Sequence, residues 1–112
     1  MTKTLFEPSE INSMKLQNRF VRSATWEGLA AEDGSCTPPL VELMETLAAG
    51  GVGLIISSHA YVQKVGQAGT GQLGIHNDDM ISGLKEMTAA VHGQQGHSVC
   101  QLAHAGCFGN EK

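Results

Sequence analysis

Residues 37–58 read TPPLVELMETLAAGGVGLIISS, and the order of elements in this stretch decides the fold. Thr37 can cap a helix, and Pro38 fits its first turn, where a missing N–H costs nothing. Leu40, Leu43, Met44 and Leu47 then recur at helical spacing and make one apolar stripe. Gly50-Gly51 stops the helix. Immediately afterwards Val52-Gly53-Leu54-Ile55-Ile56 is an unbroken apolar run of strand length. Because it does not alternate with polar residues, both of its faces are expected to be covered, as in a parallel sheet.

The same grammar extends outward. Upstream, Thr4 to Leu16 reads as an extended or hairpin lead-in with turn signals at Pro8-Ser9 and Asn12-Ser13. Phe20 to Ala24 is a short strand candidate, and Ala24 to Thr37 a long loop of small and acidic residues. Downstream, Ser57 to Asn77 is a second long loop, rich in Gly and Gln and without periodicity. A helix starts near Asp78, capped by Asn77 or Asp78, with Ile81, Leu84, Met87, Thr88 and Val91 facing inward. Gly93 to Gly96 ends it, Ser98 to Ala103 is a third strand, and His104 to Lys112 reads as an open loop. The order is lead-in, β, α, β, α, β, the α/β pattern of parallel strands joined by covering helices. Strand starts near residues 20, 52 and 98 match the repeat of (β/α)₈ barrel units carrying loop insertions. Three strands cannot close a barrel, so open edges and poor folding outside a larger assembly are expected.

Composition narrows the function classes. With 41% hydrophobic and 16% charged residues the chain is not compositionally disordered. A net charge of -4 and seven scattered Lys and Arg residues argue against a nucleic-acid partner. No run approaches the ~20 apolar residues of a membrane helix. MTKTLFEPSE lacks the basic-then-apolar order of a secretory signal, so a cytoplasmic location is expected. Cys36, Cys100 and Cys107 are odd in number and lack CxxC spacing, and the five histidines include no HExxH, so no metal is expected.

Parallel α/β proteins bind ligands at the C-terminal ends of their strands, in the βα loops. Those positions are Ala24-Thr25-Trp26, Ser57-Ser58-His59 and Gln101-Leu102-Ala103-His104. The βα loops are also the long ones, which marks this face for a small-molecule site. Gln101 ends an apolar strand with both a donor and an acceptor. It either reads the edge of a heterocycle such as a pyrimidine or satisfies a neighbouring backbone group. Trp26 either closes a core, the commoner use of such a residue, or stacks on a flat cofactor. Thr25 either bonds a cofactor or caps its own loop. His59 and His104 either donate to an anionic or carbonyl ligand or serve structure. GQAGTGQLG, residues 66–74, follows no strand directly and lacks a Lys-Ser/Thr pair, so it is neither a P-loop nor a dinucleotide fingerprint.

Three segments, in order, resemble one family. LFEPSEINSMKLQNRFVRSA (5–24) is similar to the opening of Old Yellow Enzyme-type NADH:flavin oxidoreductases, where a hairpin lid precedes the first barrel strand. GGVGLIISS (50–58) resembles the second strand, and GQLGIHNDDMISGLKEMTAAVHGQQGHSVCQLAHAG (71–106) the next helix and third strand. The resemblance implies an α/β chain forming the N-terminal part of a (β/α)₈ TIM barrel. Residues 1–17 would be the lid, and residues 18–112 barrel strands 1–3 with helices 1–2. It implies non-covalent FMN, NADH or NADPH as reductant, and an activated alkene or related small molecule as acceptor. Ala24 and Thr25 would contact the flavin, partly through backbone, and Gln101 would bond its pyrimidine edge. His59 would lie near it, where a small residue is more common. Trp26 aligns with the position that tunes the flavin, often Cys or Thr, unless a one-residue shift makes that position Thr25. Gly28 stands where a tyrosine is frequent, and Cys107 where an arginine is usual. The substrate-anchoring residues, proton donor and phosphate site are expected beyond Lys112, in a homo-oligomeric full-length parent. The alternatives are a catalytically silent fragment or half-barrel with a structural or association role, and a larger flavin/iron–sulfur relative of the dienoyl-CoA reductase kind.

Overall fold

A computed structural model describes residues 4–109 of the chain. Ser9–Ile11 (β1) and Met14–Leu16 (β2) form the expected hairpin, antiparallel, with Ser9 opposite Leu16. Asn12 turns it at φ 51°, a left-handed conformation that asparagine tolerates better than most residues. Leu16 is buried at its base. Asn18 then ties the hairpin to the rest of the chain. Its Nδ2 donates to the Gly51 carbonyl (2.5 Å), while its Oδ1 accepts from the Phe20 N–H (3.0 Å).

Beyond the hairpin lies a parallel sheet of Val21–Arg22 (β3), Leu54–Tyr61 (β4) and Ser98–Ala103 (β5), in the order β3-β4-β5. Two helices, Pro38–Ala49 (α1) and Ile81–Gly93 (α2), make the crossovers. The βαβαβ order read from the sequence is therefore the observed one. Leu40, Met44 and Ala48 of α1 meet Met87 and Val91 of α2 over Ile55 and Ala60 of β4, and Leu73 joins the same core. Burial of such side chains, each stabilising by about 1.5–3 kcal/mol, holds the helices on one face of the sheet.

The strand boundaries differ from expectation for identifiable reasons. The first strand of the sheet is Val21–Arg22, not Phe20 to Ala24, because the chain leaves the ladder at Ser23. The second is longer and later than the apolar run 52–56. Gly53 lies under Asn18, where a Cβ would come 2.5 Å from Asn18 Oδ1, so this residue serves close approach and not pairing. At the far end, Ser57 and Ser58 are each only 2% exposed and continue the strand. Their short side chains can be buried because hydrogen bonds are available; Ser57 Oγ donates to the Ser58 carbonyl at 3.1 Å. The long loop expected over Ser57 to Asn77 is correspondingly shorter and better organised. It contains a 3₁₀ turn at Lys64–Gly66 and returns to the strand end through an isolated bridge between Tyr61 and Gly74.

The helix ends also show one departure. Thr37 occupies the cap position of α1, but its hydroxyl donates to the Leu29 carbonyl at 2.5 Å and makes no cap bond. It pins the preceding loop instead. Asn77 does act as expected, accepting from the Asp79 N–H at 2.9 Å ahead of a 3₁₀ turn at Asp78–Met80 that runs into α2. Of the predicted inward stripe of α2, Ile81 is exposed, whereas Met87 and Val91 are buried. No helix among the described residues is long and apolar enough to cross a membrane.

Cys36 sits where α1 and α2 meet; a Cβ on Gly83 would lie 3.0 Å from its own Cβ. Burial, reinforced by the negative charges of Glu86 and Glu27, pushes its thiol up to about 11. An unfolded thiol ionises near about 8.5. Between these values the unfolded chain loses its proton first, so stability should fall as pH rises through that window. Timed alkylation at pH 8 checks the same point: exposed Cys100 and Cys107 should react well before Cys36. Equal rates would contradict the burial.

Candidate functional site

The C-terminal ends of β3, β4 and β5 lie side by side, and each brings the residues that the sequence placed there. After β3 the chain folds back on itself. Arg22 Nη1 donates to Glu27 Oε1 at 3.0 Å and to the Ile56 carbonyl at 3.3 Å, with side-chain exposures of 16% for Arg22 and 4% for Glu27. This mostly buried ion pair closes a short loop and leaves residues 24–26 at its outer bend. Sequence reading did not single it out, since an Arg at a strand end and a Glu five residues on in a loop carry no periodic signal.

Within that bend, Thr25 Oγ1 donates to the Ser23 carbonyl at 3.0 Å, so the hydroxyl is used by its own loop. Trp26 is 59% exposed. The core role that a tryptophan more often takes is therefore not its role here. Its ring rests against Gly28, where a Cβ would lie 3.1 Å from Trp26 Cη2 and Cζ2. Gly28 also has a φ of 67°, so main-chain geometry and close approach both favour glycine. That accounts for a glycine where the resemblance leads one to expect a tyrosine.

His59 is half-buried on β4, past a bulge that begins after Ile56, and stands in register with Gln101 of β5. The bulge re-aims the strand end, a common use of such irregularities beside functional sites. Gln101 is exposed, and none of the side-chain hydrogen bonds among the described residues uses its amide. The backbone-satisfying role considered for it falls to Gln72 instead. Gln72 is 1% exposed; its Nε2 donates to the His59 carbonyl (3.1 Å) and its Oε1 accepts from the Ala68 N–H (2.7 Å). His104 is structural. Its Nδ1 accepts from the Gly106 N–H (3.0 Å), and its Nε2 lies 3.2 Å from Gln63 Oε1.

Tyr61, at the end of β4, joins the two long βα loops. It is 1% exposed, its hydroxyl donates to the Asp33 carbonyl at 2.9 Å, and its ring stacks on His76 with centroids 4.7 Å apart. Gly34 (φ 86°) approaches so closely that any Cβ would meet the Tyr61 hydroxyl. Burial, with the Asp33 charge nearby, holds the phenol above its usual range. Asp33 is held below the usual carboxylate range by hydrogen bonds from the Ser35 hydroxyl and N–H.

Two cavities deserve separation. A mostly apolar one of about 170 Å³ lies between the helices and the sheet, against Met44, Ile55, Met87 and Val91, and touches none of the residues at the strand ends just described. An open one of about 290 Å³ lies at the strand ends and is lined by Trp26, His59, Ala68, Gly69 and Gln72. The fold thus brings Trp26 and His59 to one cavity and Gln101 beside His59. Ala24 and Thr25 share that end of the sheet without lining the cavity.

The model of the NADH:flavin oxidoreductase / NADH oxidase family matches residues 4–110. The chain belongs to this family. It is 36% identical over 107 residues to an NADPH dehydrogenase of Halalkalibacterium halodurans, covering 95% of this chain and 32% of that protein. It overlays on a 2-naphthoyl-CoA reductase solved with 2-naphthoyl-CoA at a TM-score of 0.91 and 26% identity, over 95% of this chain and 16% of that one. The old yellow enzyme of Trypanosoma cruzi gives 0.81 and 28% identity, over 94% of this chain and 28% of that one. The chain thus spans a third or less of the length of these relatives. Its fold is that of the N-terminal part of the family's barrel, with β3, β4 and β5 as consecutive parallel barrel strands.

Proposed function

We propose that this chain supplies one side of an FMN site in an oxidoreductase that draws on NADH or NADPH and reduces an activated alkene or related small molecule. Bound FMN would supply the hydride chemistry, taking the hydride from the nicotinamide and delivering it to the acceptor. The residues present fit that group. Three adjacent parallel strands end together, and at interstrand spacings of about 4.8 Å their ends offer a shelf wide enough for a fused tricyclic ring. Ala24 and Thr25 would meet the flavin largely through backbone, since the Thr25 hydroxyl is already used within its loop. Trp26 and His59 would border it.

The observation that carries this reading is the uncommitted amide of Gln101, in register with His59. A carboxamide can donate to one atom and accept from its neighbour on a pyrimidine edge, and nothing in the packing competes for it. In a flavin-loaded protein carrying this chain, Gln101→Leu should weaken FMN retention by about 1–3 kcal/mol, because the buried edge loses its partners. Equilibrium dialysis against FMN measures it, and unchanged affinity would remove Gln101 from the site.

A second reading is favoured by one feature, the free edge of β5, with Val99 and Leu102 exposed. In it the 112 residues act only by associating with further barrel units. A purified chain without visible flavin absorbance supports that reading, and a stoichiometric yellow complex opposes it. The unpaired state of Cys36, Cys100 and Cys107 fits a reducing, cytoplasmic setting, and a homo-oligomeric parent belongs to the same proposal.

A further inference from the structure

Trp26 and His59 border one cavity but come from different parts of the chain, the loop after β3 and the strand β4 past its bulge. Their spacing depends on what ties that loop to that strand. Alternate residues of β4 face alternate neighbours. The Leu54 N–H donates to the Phe20 carbonyl on the β3 side, and the Ile55 N–H to the His97 carbonyl on the β5 side. By the same alternation the Ile56 carbonyl faces the β3 side. There β3 has already ended at Arg22, so no further residue of that strand can donate to it. The Arg22 side chain supplies the donor: Nη1 reaches the Ile56 carbonyl at 3.3 Å and, through its second hydrogen, Glu27 Oε1 at 3.0 Å.

Both ends of this contact lie beside a wall of the cavity. Glu27 follows Trp26 directly in the chain. Ile56 is the last residue of β4 in register before the bulge: it pairs with Val99, whereas His59 pairs with Gln101, so three steps along β4 match two along β5. The extra residue decides which way His59 points, since a slip of one residue turns a strand side chain to the other face. A mostly buried ion pair adds little net stability over apolar residues of the same volume. A planar guanidinium does, however, fix the directions of its bonds. Geometry is therefore what this pair is suited to set.

We infer that Arg22 is a positioning residue, whose guanidinium sets Trp26 and His59 relative to each other by holding the β3 loop and the β4 bulge from one nitrogen. The inference deepens the flavin reading and rests on it for its role in binding, since these two side chains would border the flavin. Arg22 itself touches neither cofactor nor substrate in this role. A lysine in its place would keep the charge, but its ammonium ends a shorter stem without a fixed plane. It would pair with Glu27 and lose the Ile56 carbonyl.

The test compares the full chain with Arg22→Lys and with the double variant Arg22→Met, Glu27→Leu. Trp26 is the single tryptophan of the 112 residues, so its emission reports the loop. The His59 imidazole C–H resonances, assigned by their loss in His59→Gln, report the strand beyond the bulge. The double variant replaces the ion pair with apolar residues of similar volume and should stay folded by urea denaturation. It should still move both signals, because nothing then ties the loop to the Ile56 carbonyl. An ion pair that serves stability alone predicts wild-type signals once stability is restored. Arg22→Lys should also move both signals, and it decides the matter if the double variant does not fold. Wild-type signals in a folded variant, or a shift confined to Trp26, overturn the inference. In a longer protein carrying this chain, the double variant should bind FMN about two- to tenfold more weakly, the worth of about one hydrogen bond. Unchanged FMN affinity there overturns the positioning role. A wild-type protein of that kind that takes no FMN removes the flavin reading, whereas coupled shifts of the two flavin-free signals would keep the clamp.

Discussion

Tyr61→Ala should destabilise the protein by about 3–5 kcal/mol, the range for truncating a large buried aromatic side chain. The ring is 1% exposed and serves three neighbours at once. It stacks on His76, fills the space above Gly34 and Gly74, and its hydroxyl holds the Asp33 carbonyl. The backbone of the same residue pairs with Leu73 and Ile75 at 3.0 Å each. Removing the ring therefore loosens both βα loops at the C-terminal ends of the strands. Tyr61→Phe isolates the hydroxyl and should cost about 0.5–1.5 kcal/mol. Urea denaturation monitored by far-UV circular dichroism gives both numbers. A loss below about 1 kcal/mol for Tyr61→Ala would show that the loops are anchored elsewhere.

Glu27→Ala should be comparably damaging, at about 3–5 kcal/mol, because it strands the Arg22 charge in a mostly buried setting. The Ile56 carbonyl is a partial substitute partner for the guanidinium, at 3.3 Å, but it carries no net charge. Replacing both residues with apolar ones of similar volume, Arg22→Met with Glu27→Leu, should recover most of the loss. The deficit of the single variant should depend weakly on salt, since buried charges are poorly screened. Its structural consequence should appear one residue away, as a shift in the emission of Trp26, which the closed loop holds at its bend. A single variant within about 1 kcal/mol of wild type would mean that the pair is open to water in solution.

Much of this arrangement was legible because it depends on local patterns. The α1 stripe beginning at Leu40, the glycine stop at Gly50-Gly51 and the strand Ser98–Ala103 all follow from spacing and chain stiffness. The placing of residues 24–26, His59 and Gln101 together at one end of the sheet followed from the rule for parallel strands. What escaped reading depends on partners far away in sequence. Ser57 and Ser58 look like loop residues, yet pairing of β4 with β5 carries the strand through them to Tyr61. Thr37 is an ordinary cap by type, and only the proximity of Leu29 diverts its hydroxyl. Gln72 and the Arg22–Glu27 pair are polar residues whose burial no periodicity announces. Trp26 shows the converse. Its composition favours a core, and its exposure follows from the glycine that supports it and the loop that turns it out.

The open side of β5 has a further consequence for handling the protein. Among the described residues no strand pairs with that side, and Val99 and Leu102 on opposite faces would give a pairing segment an apolar surface. Two copies meeting β5 to β5 would leave only the outer side of β3, a strand of two residues, open on each copy, and their association would rise with concentration. Concentration, more than temperature, then sets how long a solution of this chain stays clear.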